Sequence, residues 1–459
     1  MLRNSACGFG QVALSALLAG RATAAPDPAI GVATDRPPHF RPRAKRIIFL
    51  FMWGGPSHVD IFDPKPRLNI DDGKPISPES VGSDKKRLGN ALASPFRFAQ
   101  HGDGGVWISE LFPNLARHAD RLCVVRSLHT EGSAHGEALL RLHTGQANSV
   151  RPSIGAWLSY GLGQETVELP SFVVLITKDK GGQPLGAHLW GSGFLPTRHQ
   201  GVLFRAAKDP VLYLGNPPGI DDHSRRQLLD RLRELHQHQL GQIADSEIQN
   251  RIEHYEMAYS MQRSVPEATD FGKESAETLA SYGPDVNKPG TFAANCLLAR
   301  RLAERGVRFI QLYHQDWDHH GGLPNALPKL CKETDQPAAA LVKDLKRCGL
   351  LDDTLVVWGG EFGRTNYCQG KIQSNFGRDH HPRCYSMWLA GGGIKAGSVY
   401  GQTCEFGYNI TLDGLHIHDL HATMLHLLGI DHERLTYKFQ GRRYRLTDVH
   451  GQVVQGLLA

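Results

Sequence analysis

The sequence predicts an α/β protein with a central, largely parallel sheet sandwiched by helices. Three observations carry that expectation. Short continuous apolar runs recur at 46–52, 122–128, 172–175, 307–313, 354–358 and 385–390, and such runs suit strands buried on both faces. Stretches of helical periodicity lie between several of them, and alternation of this kind favours parallel strands covered by helices. Polar, histidine-rich turns then flank the runs, as expected where a sheet edge carries a site.

The elements follow in order. The first 25 residues read as an export signal: Arg3 precedes the mildly apolar run Cys7 to Leu18, and Ala22-Thr23-Ala24-Ala25 offers small residues for cleavage. The run is weakly hydrophobic, as twin-arginine signals are, but only Arg3 precedes it: either the true start lies upstream and restores the pair, or this is a poor general secretory signal. Residues 26–44 are rich in Pro, Ala and Arg and read as an extended linker. The basic stretch Arg41 to Arg46 ends that linker as a solvated segment. One large domain, 45–459, is expected after it. The run 46–52 ends in Gly54-Gly55. Helices are expected at Gly136 to His143, Phe292 to Ala303 and Pro337 to Cys348, with a helical insertion or lid near 221–262. No segment after the signal has the uninterrupted apolar length of a membrane span, so an exported protein of the periplasm or cell envelope is expected.

Composition sets outer bounds. A net charge of +5 spread over 459 residues is too small and scattered to argue for a nucleic-acid partner. Eight cysteines contain no CxxC pair, and loss of Cys7 with the signal leaves an odd number, against a full disulfide framework. Cys368 and Cys384 flank a polar loop and are the candidates to pair in an oxidising compartment.

The chemistry concentrates at strand ends. Run 46–52 leads to Ser57-His58-Val59-Asp60, and run 122–128 to His129-Thr130-Glu131-Gly132-Ser133-Ala134-His135. Run 307–313 leads to Asp316-Trp317-Asp318-His319-His320, and run 354–358 to Gly360-Glu361-Phe362-Gly363-Arg364. Gly377-Arg378-Asp379-His380-His381 precedes run 385–390. Any one of these reads either as a polar turn or as a metal seat. Five of them on one edge point to a single site holding a divalent metal. Carboxylate and imidazole donors favour zinc, with manganese, iron or calcium as alternatives. The 318–320 and 379–381 turns can meet only if their strands end on the same edge.

The phrases Trp53-Gly54-Gly55-Pro56-Ser57-His58-Val59-Asp60, Trp317-Asp318-His319-His320, Gly360-Glu361-Phe362-Gly363-Arg364-Thr365, Gly391-Gly392-Gly393-Ile394 and Asp419-Leu420-His421-Ala422-Thr423 closely resemble one group. It is the domain-of-unknown-function family 1501, placed with sulfatases in the alkaline-phosphatase-like superfamily. The resemblance runs from about residue 45 to the C-terminus and implies an alkaline-phosphatase-like fold with two metal positions at strand ends. One position would use Asp60 and Glu361. The other would use Asp318, His320 and a histidine of the His380-His381 pair. The superfamily turn that usually reads Asp-His-Gly is here Glu361-Phe362-Gly363, which puts one ligand in doubt.

In sulfatases the nucleophile opens a helix ten residues before the glycine of a Thr-Gly pair, and for Thr144-Gly145 that position is His135. The attacking oxygen is then expected from Ser133, Thr130 or a water, the last being favoured. His129 and His135 would extend the metal site. Arg364 and Arg378 would hold an anionic group through bidentate contacts, with Arg126 and Arg141 as weaker candidates. His421 and His426 read as packing residues. The resemblance thus implies an exported, metal-dependent hydrolase of phosphate or sulfate esters, acting on a small molecule or a glycan. The alternatives are a non-catalytic glycan- or anion-binding cell-surface protein on a degenerate sulfatase-like fold, and metal chemistry other than ester hydrolysis.

Overall fold

Every residue of Arg46–Met52 (β1) is buried, because helices cover both faces of the strand. Ile48, Leu50 and Met52 enter one core, and Ile47, Phe49 and Phe51 the other, as the two-residue period of a strand requires. The first core is closed by helices Phe292–Glu304 and Leu323–Arg347, the second by Ile154–Leu162 and Ile417–Leu427. Burying one such side chain contributes about 1.5–3 kcal/mol, so an apolar run with no polar face is stable only at the centre of such a sandwich. The computed structural model describes residues 36–459 apart from 82, 84–87, 148–149, 179, 181–185, 206–209, 212–213, 217, 244–245 and 370–374. The expected export signal and the first part of the linker lie outside the described residues.

Eight further strands join β1. They are β2 (Leu122–His129), β3 (Phe172–Ile176), β4 (Val202–Phe204), β5 (Phe309–His314), β6 (Thr354–Gly359), β7 (Tyr385–Ala390), β8 (Ser398–Tyr400) and β9 (Leu415–His416). The sheet runs β8-β2-β7-β6-β1-β5-β3-β4, with β9 also on β2. Its pairings are parallel except those of β7, which lies antiparallel to both β2 and β6. That reversal positions the site. A segment that precedes a strand reaches the carboxyl edge of a parallel sheet only if its own strand runs backwards. Arg378–His381 arrives there in this way and pairs antiparallel with Gly363–Cys368, which follows β6.

Two helices differ from expectation. The helix expected over 337–348 begins at Leu323 and continues through Pro328 and Pro337. Its buried stripe, including Leu327, Cys331, Leu341 and Leu345, outweighs the backbone donors that the prolines remove. The helical stretch near 221–262 is two helices, Asp222–Ile243 and Ser246–Thr269. The second docks on the first core through Met261, Val265 and Ala268. Cys368 and Cys384 are free thiols, as are the other described cysteines. No described helix is long and apolar enough to cross a membrane.

Candidate metal site

Local backbone constraints bring the acidic and imidazole groups together. Beyond β5 the chain turns through Asp316, whose φ of 80° is left-handed and tolerable for an aspartate. Trp317 is then buried, and its indole donates to His314 Nδ1 at 3.0 Å while its amide donates to Trp53 O at 3.1 Å. These bonds set Asp318 against the β1 turn. Gly54 makes that approach possible, since a Cβ there would lie 2.5 Å from the Asp318 nitrogen. Gly377 does the same for the other turn, because a Cβ would stand 2.0 Å from the His320 carbonyl carbon. His135 opens the helix His135–Thr144, whose cap residue Ala134 offers no side-chain acceptor. Its ring stacks on Trp53, with centroids 5.0 Å apart.

Asp318 is the hub. Its Oδ1 lies 2.5 Å from Arg364 Nη2, 3.0 Å from His320 Nε2 and 3.1 Å from His380 Nε2, and its Oδ2 lies 3.2 Å from His135 Nε2. The other His135 nitrogen, Nδ1, lies 2.7 Å from Glu361 Oε1. Glu361 is fully buried and also accepts from the Gly54 amide at 3.0 Å. His380 Nδ1 is 2.6 Å from the Ser133 carbonyl, which can only accept, so Nδ1 carries the proton. Nε2 of that ring therefore turns towards Asp318 and the His320 Nε2, the latter 2.9 Å away. The remaining His320 nitrogen meets the Gln369 amide oxygen.

Charge follows from these contacts. Burial alone would lower the His135 pKa, but the negative charges of Asp318 and Glu361 beside the ring outweigh that and raise it to about 9. Burial opposes ionisation of Asp318 as well, and His135, His380 and Arg364 together hold its carboxyl well below the usual range. His320 is pushed below its ordinary value by burial, with Asp318 offsetting part of the shift.

A divalent ion fits this arrangement. His135, Asp318 and His380 each offer a ligand atom, and the three atoms lie within 4.8 Å of one another. His320, Asp379 and His380 form a second such group. The decisive detail is His135 Nε2, which is buried and, beyond its ion pair with Asp318, has no hydrogen-bond partner among the described residues. Its 3.2 Å distance to Asp318 is that of an ion pair, off-line for a hydrogen bond. Two imidazoles and a carboxylate suit zinc, and also manganese or iron. Glu361 behind His135 repeats the carboxylate–imidazole support typical of metal-binding histidines. With its pKa raised, His135 carries a proton between the two carboxylates, which an ion bound there would displace.

The contacts place the other expected site residues as follows. Asp60 shares no position with Glu361: its carboxylate accepts from Ser57 Oγ at 2.5 Å and from Arg378 Nε and Nη2 at 2.8 and 3.1 Å, with both partners fully buried. The Arg378 donors are thus taken up by Asp60 and by the carbonyls of Thr365 and Leu92. Arg364 is fully buried too, giving its donors to Asp318 and to the carbonyls of Gly54, Gly55 and Arg378. Of the His380-His381 pair only His380 joins the cluster, while His381 Nε2 lies 2.8 Å from Tyr408 O. Glu361 stands behind His135 rather than beside Asp60. Ser133 is exposed and contributes its carbonyl, not its hydroxyl, to His380. The Thr130 hydroxyl turns onto the Glu131 carbonyl, 3.5 Å away. His129 packs tilted against His416, 5.1 Å between centroids, and Arg141 pairs with Glu131 at 3.1 Å. His421 is buried with Nε2 2.7 Å from Leu142 O. Gln369 and the stacking role of Trp53 were missed; only the Trp-Gly-Gly sequence hinted at the latter.

An α/β fold with an Asp/His cluster at the carboxyl edge of its sheet is thus defined. The family model of a protein of unknown function, DUF1501, matches residues 44–458. The chain belongs to that family. No curated protein matches it. Among solved structures it is similar to a sulfatase from Pseudoalteromonas sp., 14% identical over 98% of this chain and 75% of that one, TM-score 0.38. An alkaline phosphatase from the Antarctic bacterium TAB5 is 10% identical over 84% of this chain and 98% of that one, TM-score 0.36. A member of the alkaline phosphatase superfamily from Vibrio parahaemolyticus is 11% identical over 90% and 73%, TM-score 0.35.

Proposed function

We propose that the protein is a metal-dependent hydrolase of phosphate or sulfate esters, exported to the periplasm or cell envelope, whose ion is held by His135, Asp318 and His380. One observation carries this reading: the unpartnered His135 Nε2 lies beside a carboxylate at the first turn of an uncapped helix. A divalent ion bound there would supply Lewis acidity towards an ester oxygen. The chain's own groups do the rest. Glu361 accepts the Nδ1 proton of His135 and so selects which nitrogen faces the cluster. Arg364 anchors Oδ1 of Asp318 and leaves Oδ2 towards His135. The first-turn N–H groups of the helix, lacking a side-chain cap, favour an anionic ester oxygen. Support for phosphate or sulfate comes from the Trp317-Asp318-His319-His320 and Glu361-Phe362-Gly363-Arg364 phrases, and the substrate is a small-molecule or glycan ester.

A second reading, a non-catalytic glycan- or anion-binding protein of the cell surface, is favoured by one feature. Both arginines expected to clamp an anion are buried and engaged, and imidazole stands where the superfamily nucleophile is expected. Assay of p-nitrophenyl phosphate and p-nitrophenyl sulfate, with metal content measured in parallel, separates the two. Turnover that follows metal content supports the hydrolase. A metal-loaded protein that turns over neither ester, nor other phosphate or sulfate esters, contradicts the hydrolase reading.

A further inference from the structure

A second feature lies away from the metal cluster. Arg126 sits on β2 on the same face as Leu122 and Val124 and reaches a cavity of about 690 Å3, a volume typical of small-molecule sites. Neither the metal cluster's residues nor Glu361 line it. The Arg126 side chain is 15% exposed, yet its Nε and Nη2 have no hydrogen-bond partner among the described residues. Its nearest carboxylate, Asp63, is 3.8 Å away and already engaged by Lys65 at 2.9 Å and by the Thr403 hydroxyl. Arg97, also at the wall, is matched by Glu110 at 2.7 Å. Lys65 and Arg126 thus set two positive charges against the one negative charge of Asp63. A buried guanidinium without matching acceptors is costly to maintain, and burial depresses the Arg126 pKa.

Aromatic side chains also line the cavity. Trp107 and Phe96 line the cavity, both half-buried, and offer flat faces for a ring. We infer that this cavity binds a small organic anion, with its acidic group on Arg126 and its ring against Trp107 and Phe96. A carboxylate, sulfonate, sulfate or phosphate on an aromatic or sugar ring meets that description. An anion in the cavity offsets the surplus positive charge that Lys65 and Arg126 leave beside Asp63, meeting the accessible part of the Arg126 side chain, since Nε and Nη2 are themselves buried.

Calorimetric titration of the purified full chain with benzenesulfonate and with glucuronate, neither of them an ester, tests this. The expected result is saturable 1:1 binding of one or both; the better ligand tells whether the ring is aryl or sugar. Affinity should fall at least about tenfold in Arg126→Gln, following the loss of a charged partner, and fall measurably in Trp107→Leu. It should persist in Asp318→Asn, which separates the cavity from the metal cluster. The corresponding neutral compounds, benzenesulfonamide and glucose, should bind at least about tenfold more weakly. Without ligand, Arg126→Gln should melt no lower than wild type. Absence of binding for both anions, equal binding in Arg126→Gln, loss in Asp318→Asn, or inorganic sulfate binding as tightly as either ring compound would overturn the inference. So would a Arg126→Gln variant that fails to fold, since it would show the guanidinium to be held by the protein itself.

Discussion

Two aspartate–arginine pairs meet the same sheet edge, and they are built differently. In Asp60–Arg378 both side chains are fully buried, and the guanidinium spans both carboxylate oxygens at 2.8 and 3.1 Å while Ser57 adds a third bond. The other Arg378 donors go to Thr365 O and Leu92 O. In Asp318–Arg364 the guanidinium reaches one carboxylate oxygen only, and the carboxylate is 30% exposed and ringed by three imidazoles. The difference teaches what a metal seat needs. The Asp60 carboxylate is gripped on both oxygens inside the protein, whereas Asp318 is held by guanidinium on one oxygen and turns the other towards His135.

The comparison breaks most sharply under matched substitutions. Asp318→Ala should lower metal affinity by more than about 100-fold, the upper range for a merely supporting residue, and ester turnover with it; it also costs some stability, because the buried Arg364 keeps only backbone carbonyls as partners. Asp60→Ala should cost stability and leave metal affinity unchanged. Leaving Arg378 buried and unpaired should cost about 3–5 kcal/mol of stability, read from denaturant unfolding, while metal stoichiometry stays at wild-type level. Loss of metal in Asp60→Ala at temperatures where the variant is folded would erase the distinction.

Glu361→Gln comes next, because it touches only the support of His135. Metal affinity should fall by about 10–100-fold in a direct titration, with the stoichiometry retained. Affinity should also depend on pH. Asp318 and Glu361 raise the His135 pKa to about 9, so below that value an ion bound there would have to displace a proton. Affinity should rise up to about tenfold per pH unit as pH increases from neutrality towards 9, then level off.

Acid should act on another part of the molecule. Burial holds His58 and His143 at about 4, and His199 and His421 at about 3. In the unfolded chain such groups titrate near 6.5. Below that pH the unfolded state binds protons that the folded state refuses, so stability is full above 6.5 and falls as pH drops towards 4. Each histidine contributes up to about 1.4 kcal/mol per pH unit, measurable as proton uptake on unfolding. His319→Ala should be the mildest change at the site. The His319 ring is buried outside both possible ion groups, and metal content should not move.

The sheet was legible because its central strands are apolar throughout, and Asp318 was legible because an acidic, histidine-rich turn follows such a strand. The partner of each acid was not. Asp60 and Arg378 lie 318 positions apart, and nothing local marks an aspartate as bound for a guanidinium rather than an ion. His380 was separated from His381 only by the pairing of 378–381 with 363–368, which decides which ring faces the edge. The role of Glu361 behind His135 depends on how the helix at 135 meets the turn after β6, a tertiary fact with no periodic signature. The helix from Leu323 was hidden by its prolines, whose local preference the buried stripe overrides.

The most direct test of the account is elemental analysis of the full chain, loaded with zinc, manganese or iron, freed of excess by dialysis, and compared with Asp318→Ala. The account predicts one tightly held divalent ion per wild-type chain and almost none in the variant. Equal metal content in the two, or none in either, would contradict it.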